Sequence, residues 1–331
     1  MQDTTQTLVG HLSSRDHAVC SAAQDALIAL GPAAIDQLLP YTLDRSSGSP
    51  RRSVQFVIGR MGDEVLPRLR EIRSEGPGRL RGSALEMLVE LGGVDALDER
   101  DRRAVERLVR IKILDERPVE TPSESGRWLA FPADRLDDAV AALGLHDVRP
   151  ATSVIGVAAA TRAADSLEFR DADGEKHRAY RVFITPEFSG WRLLFGNSFL
   201  DELGGTNLAD KVSEQAGEAH FYAIDTYHSS QLWWLSRDGH VVRGRSTYGE
   251  PEFVGDPLPF ELEYMEGEDD PFADPYFVEK YAKGVTDADM AADALSVMPG
   301  PMPESTTHGH GWLATTHAEA PNSRFKGALP I

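Results

Sequence analysis

Cysteine is almost missing from this chain. Cys20 is the single one among 331 residues, so no internal disulfide can form, and that composition fits a reducing compartment. It lies in a helical pattern beside Ala22 and Ala23 and reads as a small core residue. Long apolar runs are missing too, with no stretch read as reaching the ~18 residues that a membrane-spanning helix requires. The segment Met1-Gln2-Asp3-Thr4-Thr5-Gln6 has no basic stretch leading into an apolar one, so no secretory signal is read there. Together these absences predict a soluble cytoplasmic protein that makes no use of a membrane. Catalytic signatures are also wanting, including the G-x-S-x-G turn that exposes a nucleophilic serine. Positive charge is scarce: 34 Lys and Arg stand against 53 Asp and Glu, a net −19. Such a field disfavours DNA, RNA and anionic lipid and favours a basic partner.

What is present begins with a repeat. Runs of small and apolar residues close at Leu30-Gly31, Met61-Gly62 and Leu91-Gly92, so the glycines fall 31 and 30 residues apart. A period near 30 with one glycine turn per copy is the mark of stacked helical hairpins, none of which buries its apolar face alone. Ala23, Val54 and Ala84 superpose, as do Leu27, Ile58 and Leu88, on one helix face. Arginine is dense here (Arg51, Arg52, Arg60, Arg68, Arg70, Arg73, Arg79, Arg81), but Asp63, Glu64, Glu71 and Glu75 stand at pairing distance. An ion-paired solvated face is therefore preferred to a nucleic-acid surface.

The stretch AAQDALIALGPAAIDQLL and its two looser copies resemble HEAT-like repeats, in particular the short bacterial kind also found in phycobilin-lyase (PBS-lyase) type proteins. The resemblance covers about residues 5–115. It implies an α-solenoid scaffold that binds another macromolecule, and it does not imply lyase activity.

Composition breaks near residue 117, where Pro118, Pro122 and Gly126 interrupt any apolar period. The boundaries read are residues 1–116 for the helical repeats, 117–127 for a linker, 128–316 for a second domain and 317–331 for a flexible tail. Acidity is lopsided, with 18 basic against 20 acidic residues in 1–130 and 16 against 33 beyond, so the second part holds −17. Close hairpins dominate there, the clearest being Gln231 to Arg245 around Asp238-Gly239. They predict an α+β domain with a mainly antiparallel sheet, and hence a multidomain chain, all-α then α+β. The runs VFITPEFSGWRLLFG, VSEQAGEAHFYAIDTYHSSQLWWLSRDGHVVRG and GDPLPFE resemble a domain of uncharacterised actinobacterial and toxin-immunity-like proteins. That resemblance implies binding and neutralising a protein partner.

Three groups of residues invite a site. His308, His310 and His317 have the residue type of a zinc cluster, but no Cys accompanies them and glycines surround them, so no metal or other cofactor is expected. Asp225, Tyr227, His228, Ser229 and Ser230 hold triad residue types without an exposed nucleophile. The partner-binding residues read from the sequence are Trp233 or Trp234, whichever stands outward on its strand, with the acidic, aromatic run containing Tyr264, Glu266, Glu268, Asp269 and Asp270. The expectation is a non-enzymatic module that binds a basic protein, of the immunity type that covers a basic toxin. The alternative is an enzyme or accessory protein of a biosynthetic pathway, with a pocket between the two halves.

Overall fold

Every repeat phrase ends a helix at a glycine. A computed structural model describes residues 2–44, 46, 49–116, 126–161, 165–249, 252–261, 287–300 and 307–327. In its first part α1 (Gln2–His11) and α2 (His17–Leu30) precede Gly31, α3 (Ile35–Leu38) leads to α4 (Arg51–Met61) and Gly62, and α5 (Leu66–Glu75) and α6 (Gly78–Gly92) lead to Gly93 and α7 (Glu99–Lys112). Gly31, Gly62 and Gly93 have φ of 55°, 71° and 64° with ψ of −144°, −153° and −161°, a region that glycine alone enters cheaply. The third turn thus sits at Gly93, not at Gly92 as the pattern suggested. Each glycine is followed by a 3-10 turn in which Ala34, Val65 or Ala96 is buried. Leu27, Ile58 and Leu88 are at most 1% exposed, with α2 packed on α4 and α4 on α6.

The arginines stitch the intervening helices together. Arg68 of α5 bonds Asp36 of α3 at 2.6 and 2.9 Å, and Arg73 of α5 bonds Asp101 of α7 at 2.5 and 2.7 Å. The stretch 17–43 corrects one reading, because an 18-residue window in it has a mean hydropathy of 1.5, enough by length and composition to cross a bilayer. In the fold it is broken at Gly31, and its Leu27, Ile35, Leu38 and Leu39 are buried against the other helices.

The chain divides into two compact units, unit 1 of Met1–Arg107 with Ser323–Ile331 and unit 2 of Leu108–Asn322. The linker read at 117–127 lies, for 117–125, outside the described residues. Of the segment 317–331 read as a flexible tail, residues 317–327 are described, and they make contacts. Asn322 bonds the Asp147 backbone at 2.8 Å, Phe325 is 1% exposed, and the Gly327 N–H reaches the Val89 carbonyl at 2.9 Å. The Phe325 backbone carbonyl lies beside Gly93, in reach of any Cβ placed there.

Unit 2 carries the antiparallel sheet. Its strands are β1 (Gly126–Pro132), β2 (His146–Ala151), β3 (Ser166–Arg170), β4 (Lys176–Ile184), β5 (Glu187–Phe188), β6 (Trp191–Phe195), β7 (Glu218–Asp225), β8 (Ser230–Arg237), β9 (His240–Ser246), β10 (Glu252–Val254), β11 (Thr307–His308) and β12 (Gly311–Thr315). The order is β10-β9-β8-β7-β1-β6-β4-β12-β2, with β3 on β4 and β11 on β5. Helices α8 (Leu136–Leu143), α10 (Asn197–Glu202) and α11 (Gly205–Ala216) cover one face with Leu129, Phe131 and Phe221. On the other face α9 (Ser153–Thr161) and α12 (Ala288–Leu295) lie over Trp128, Phe183 and Tyr222. Central strands are therefore apolar on both sides, which hides β1 from any search for alternation.

Two stability tests follow from unit 1. Truncating Leu27, Ile58 or Leu88 to Ala should each cost about 2–5 kcal/mol in urea denaturation. Alanine at Gly31 or Gly62 meets open space, whereas at Gly93 its Cβ would stand 2.3 Å from the Phe325 carbonyl oxygen. Gly93→Ala should therefore lower the melting temperature clearly more than the other two, and equal losses would refute the Phe325 contact.

Candidate functional site

The β8–β9 hairpin turns through Asp238 and Gly239, both at positive φ, as an Asp-Gly turn requires. It points its two tryptophans to opposite faces. Trp233 is 1% exposed, against the Phe260 ring and the Arg243 guanidinium. An exposed anchor at Trp233 is thereby corrected, since the helix layer above the sheet has taken its ring. Trp234 is half-buried, and its Nε1 donates to Asp210 Oδ1 at 3.2 Å. Tyr264, Glu266, Glu268, Asp269 and Asp270 lie outside the described residues.

The positions flanking that acidic run are described, and both are tied to β9. Arg243 and Glu261 form a two-pronged pair at 2.8 and 3.0 Å, 1% and 0% exposed. Arg243 also donates to the Gly255 carbonyl at 2.7 Å, and Glu261 accepts the Leu258 N–H at 2.7 Å. Two residues along the same strand face, Arg245 meets Asp287 at 3.1 Å, and Gln231 accepts the Ala288 N–H at 2.8 Å. The Phe253 ring lies 5.4 Å from the first guanidinium and 6.0 Å from the second. Residues 261 and 287 are thus fixed side by side at the β9 end of the sheet. The only trace of this in the sequence is the alternation of Arg243 and Arg245, which puts both on one face.

A second polar row crosses the same face further along β7. Arg237 holds Glu218 at 2.7 Å, Glu218 meets His220 Nε2 at 2.8 Å, Tyr222 meets His220 Nδ1 at 3.1 Å, and Ser296 meets the Tyr222 oxygen at 3.1 Å. The His220 contact, aided by Arg237, holds the Glu218 carboxyl down to about 2. An ionised carboxylate only accepts, so Nε2 carries the hydrogen and the Tyr222 hydroxyl donates to Nδ1. Burial lowers His220 from the ordinary imidazole value and raises Tyr222. A carboxylate–histidine–tyrosine row has the makings of a proton relay, but a base must reach its substrate. The His220 side chain is 0% exposed and lies under Trp191 at 4.7 Å.

Comparison of the chain with protein-family models, with curated proteins and with solved structures gives no match. Asp225 accepts the Tyr227 and His228 N–H groups and His228 Nδ1 at 2.8 Å, while Ser230 donates to the His228 carbonyl. That is a turn, with the serine directed at backbone. His308 and His310 stand before β12 and His317 after it, so the three histidines do not gather. A cleft of about 220 Å³ in unit 1 is lined by Arg70, Arg73, Asp98 and Asp101, and its arginines are engaged by the Ala96 carbonyl and Asp101.

Arg243→Met should destabilise unit 2 by about 3–5 kcal/mol, because it strands the Glu261 charge in the interior. Adding Glu261→Leu should restore most of the loss, and a double variant as unstable as the single one would contradict the pairing. For the β7 row, an unfolded His220 gains its proton near pH 6.5 while the folded one resists, so stability is full above that pH and falls below it. The urea midpoint should drop between about pH 7 and pH 5. His220→Gln, whose amide can replace both hydrogen bonds, should flatten that drop.

Proposed function

We propose that this protein is a non-catalytic binding module whose acidic α+β unit engages a basic protein, with the helical unit as a HEAT-like scaffold. The observation that carries the reading is the partition of charge. Unit 1 holds 16 Lys and Arg against 16 Asp and Glu, and unit 2 holds 18 against 37. All of the net −19 therefore belongs to unit 2. Solubility alone gives no reason to confine acidity to one unit, whereas recognition of a basic surface does. The arginines of unit 1 that bind Asp36 and Asp101 are spent on helix-to-helix pairs, which suits a scaffold.

An immunity-type inhibitor of a basic toxin is the specific form that best fits this charge, because opposite charge speeds capture of a dangerous partner. The alternative, an enzyme or pathway accessory protein, would need a reactive group within a substrate's reach. Its best candidate, the Glu218–His220–Tyr222 row, is sealed under Trp191.

The partner should be isolated by pull-down from the native host and its kinetics followed against salt. Association should slow at least about tenfold from low to high ionic strength while dissociation changes little. Neutralising Glu266, Glu268, Asp269 and Asp270 together should slow association. Salt-indifferent association, or a small molecule that is chemically turned over as the sole reproducible ligand, would overturn the reading.

A further inference from the structure

The geometry points to a divalent transition-metal site at the β3–β4 hairpin, held by Asp171, Glu175 and His177, with the His317 ring beside it. The donor atoms of Asp171, Glu175 and His177 all lie within 4.8 Å of one another, so one ion at about 2.0–2.2 Å from each is sterically reasonable. His177 Nε2 and Asp171 Oδ2 are 2.7 Å apart. An ion would replace the hydrogen between them, with the ring's remaining proton on Nδ1.

Topology brings a second imidazole to the edge of this group from elsewhere in the chain. The end of β12 runs beside β4, and the Thr316 N–H bonds the Tyr180 carbonyl at 3.0 Å. The next residue, His317, stands with its ring 5.1 Å from that of His177 and 4.8 Å from Phe169. Its Nδ1 takes the Glu319 N–H at 3.2 Å, a long bond that coordination would displace. An imidazole with two carboxylates, and a second imidazole beside them, suits zinc, nickel, cobalt or copper better than calcium or magnesium, which prefer oxygen alone. The nearby cations are occupied elsewhere: Lys176 and Arg178 pair with Glu168, and Arg170 donates to the Gly174 carbonyl. Asp171 is already oriented, because its Oδ1 accepts the Asp173 and Glu175 N–H groups at 3.0 and 2.8 Å.

The test is calorimetric titration of the untagged full chain with zinc chloride and with nickel chloride, after dialysis against a chelator. One saturable site should appear. His177→Ala and Glu175→Gln should each weaken it at least about tenfold, and His317→Ala should weaken it by less. The Glu175→Gln variant guards against misfolding, since residue 175 is exposed. His308→Ala and His310→Ala should leave binding unchanged. Absence of saturable binding, indifference to His177→Ala, or loss in the His308 or His310 variants would overturn the assignment.

Discussion

A sheet covered on both faces leaves its remaining polar side chains nowhere to turn except to one another. Unit 2 is built under that constraint. Burying a lone charge costs several kcal/mol, so each charged residue admitted to the interior must bring its partner. Arg243 comes with Glu261, and His220 takes its place between Glu218 and Tyr222. These pairs add little net stability over apolar equivalents. What they do is fix position, since an arginine fork and a carboxylate meet in one geometry only.

Unit 1 solves a different problem with different means. Its helices are short, and their amphipathic faces need neighbours. Glycine turns repeat one backbone geometry, and the helices between are joined by ion pairs such as Arg68 with Asp36. Those pairs are partly exposed, so each contributes modestly, of the order of 0–1 kcal/mol. The order of the helices rests on buried residues such as Leu27, Ile58 and Leu88.

The helices that close at Gly31 and Gly62 and the β8–β9 hairpin were legible in the sequence because their signals are local: a glycine after an apolar period, and Asp-Gly between β-rich runs. The strand β1 was not, because Trp128-Leu129-Ala130-Phe131 is apolar on both faces and so has no alternation. The one-residue offset at Gly93 escaped for a related reason, as Gly92 and Gly93 are adjacent and periodicity does not choose between them. Tertiary pairs were beyond reach altogether. Nothing near Arg243 announces Glu261, and nothing near His177 announces His317. Which of Trp233 and Trp234 is core was not legible either, because strand alternation says that two neighbours face opposite ways and not which faces are covered.

The return of Phe325 to the helical unit makes that unit discontinuous in the chain, with the 215 residues 108–322 between its two parts. On the ribosome the helices emerge early but lack Phe325 until all of the sheet-bearing unit has been synthesised. The usual order, in which the first domain is finished before the next is made, is therefore closed to this unit. The contacts beside Gly93 can close only once residue 325 has been made, so the helical unit cannot be complete before the whole chain of the unit that follows it exists.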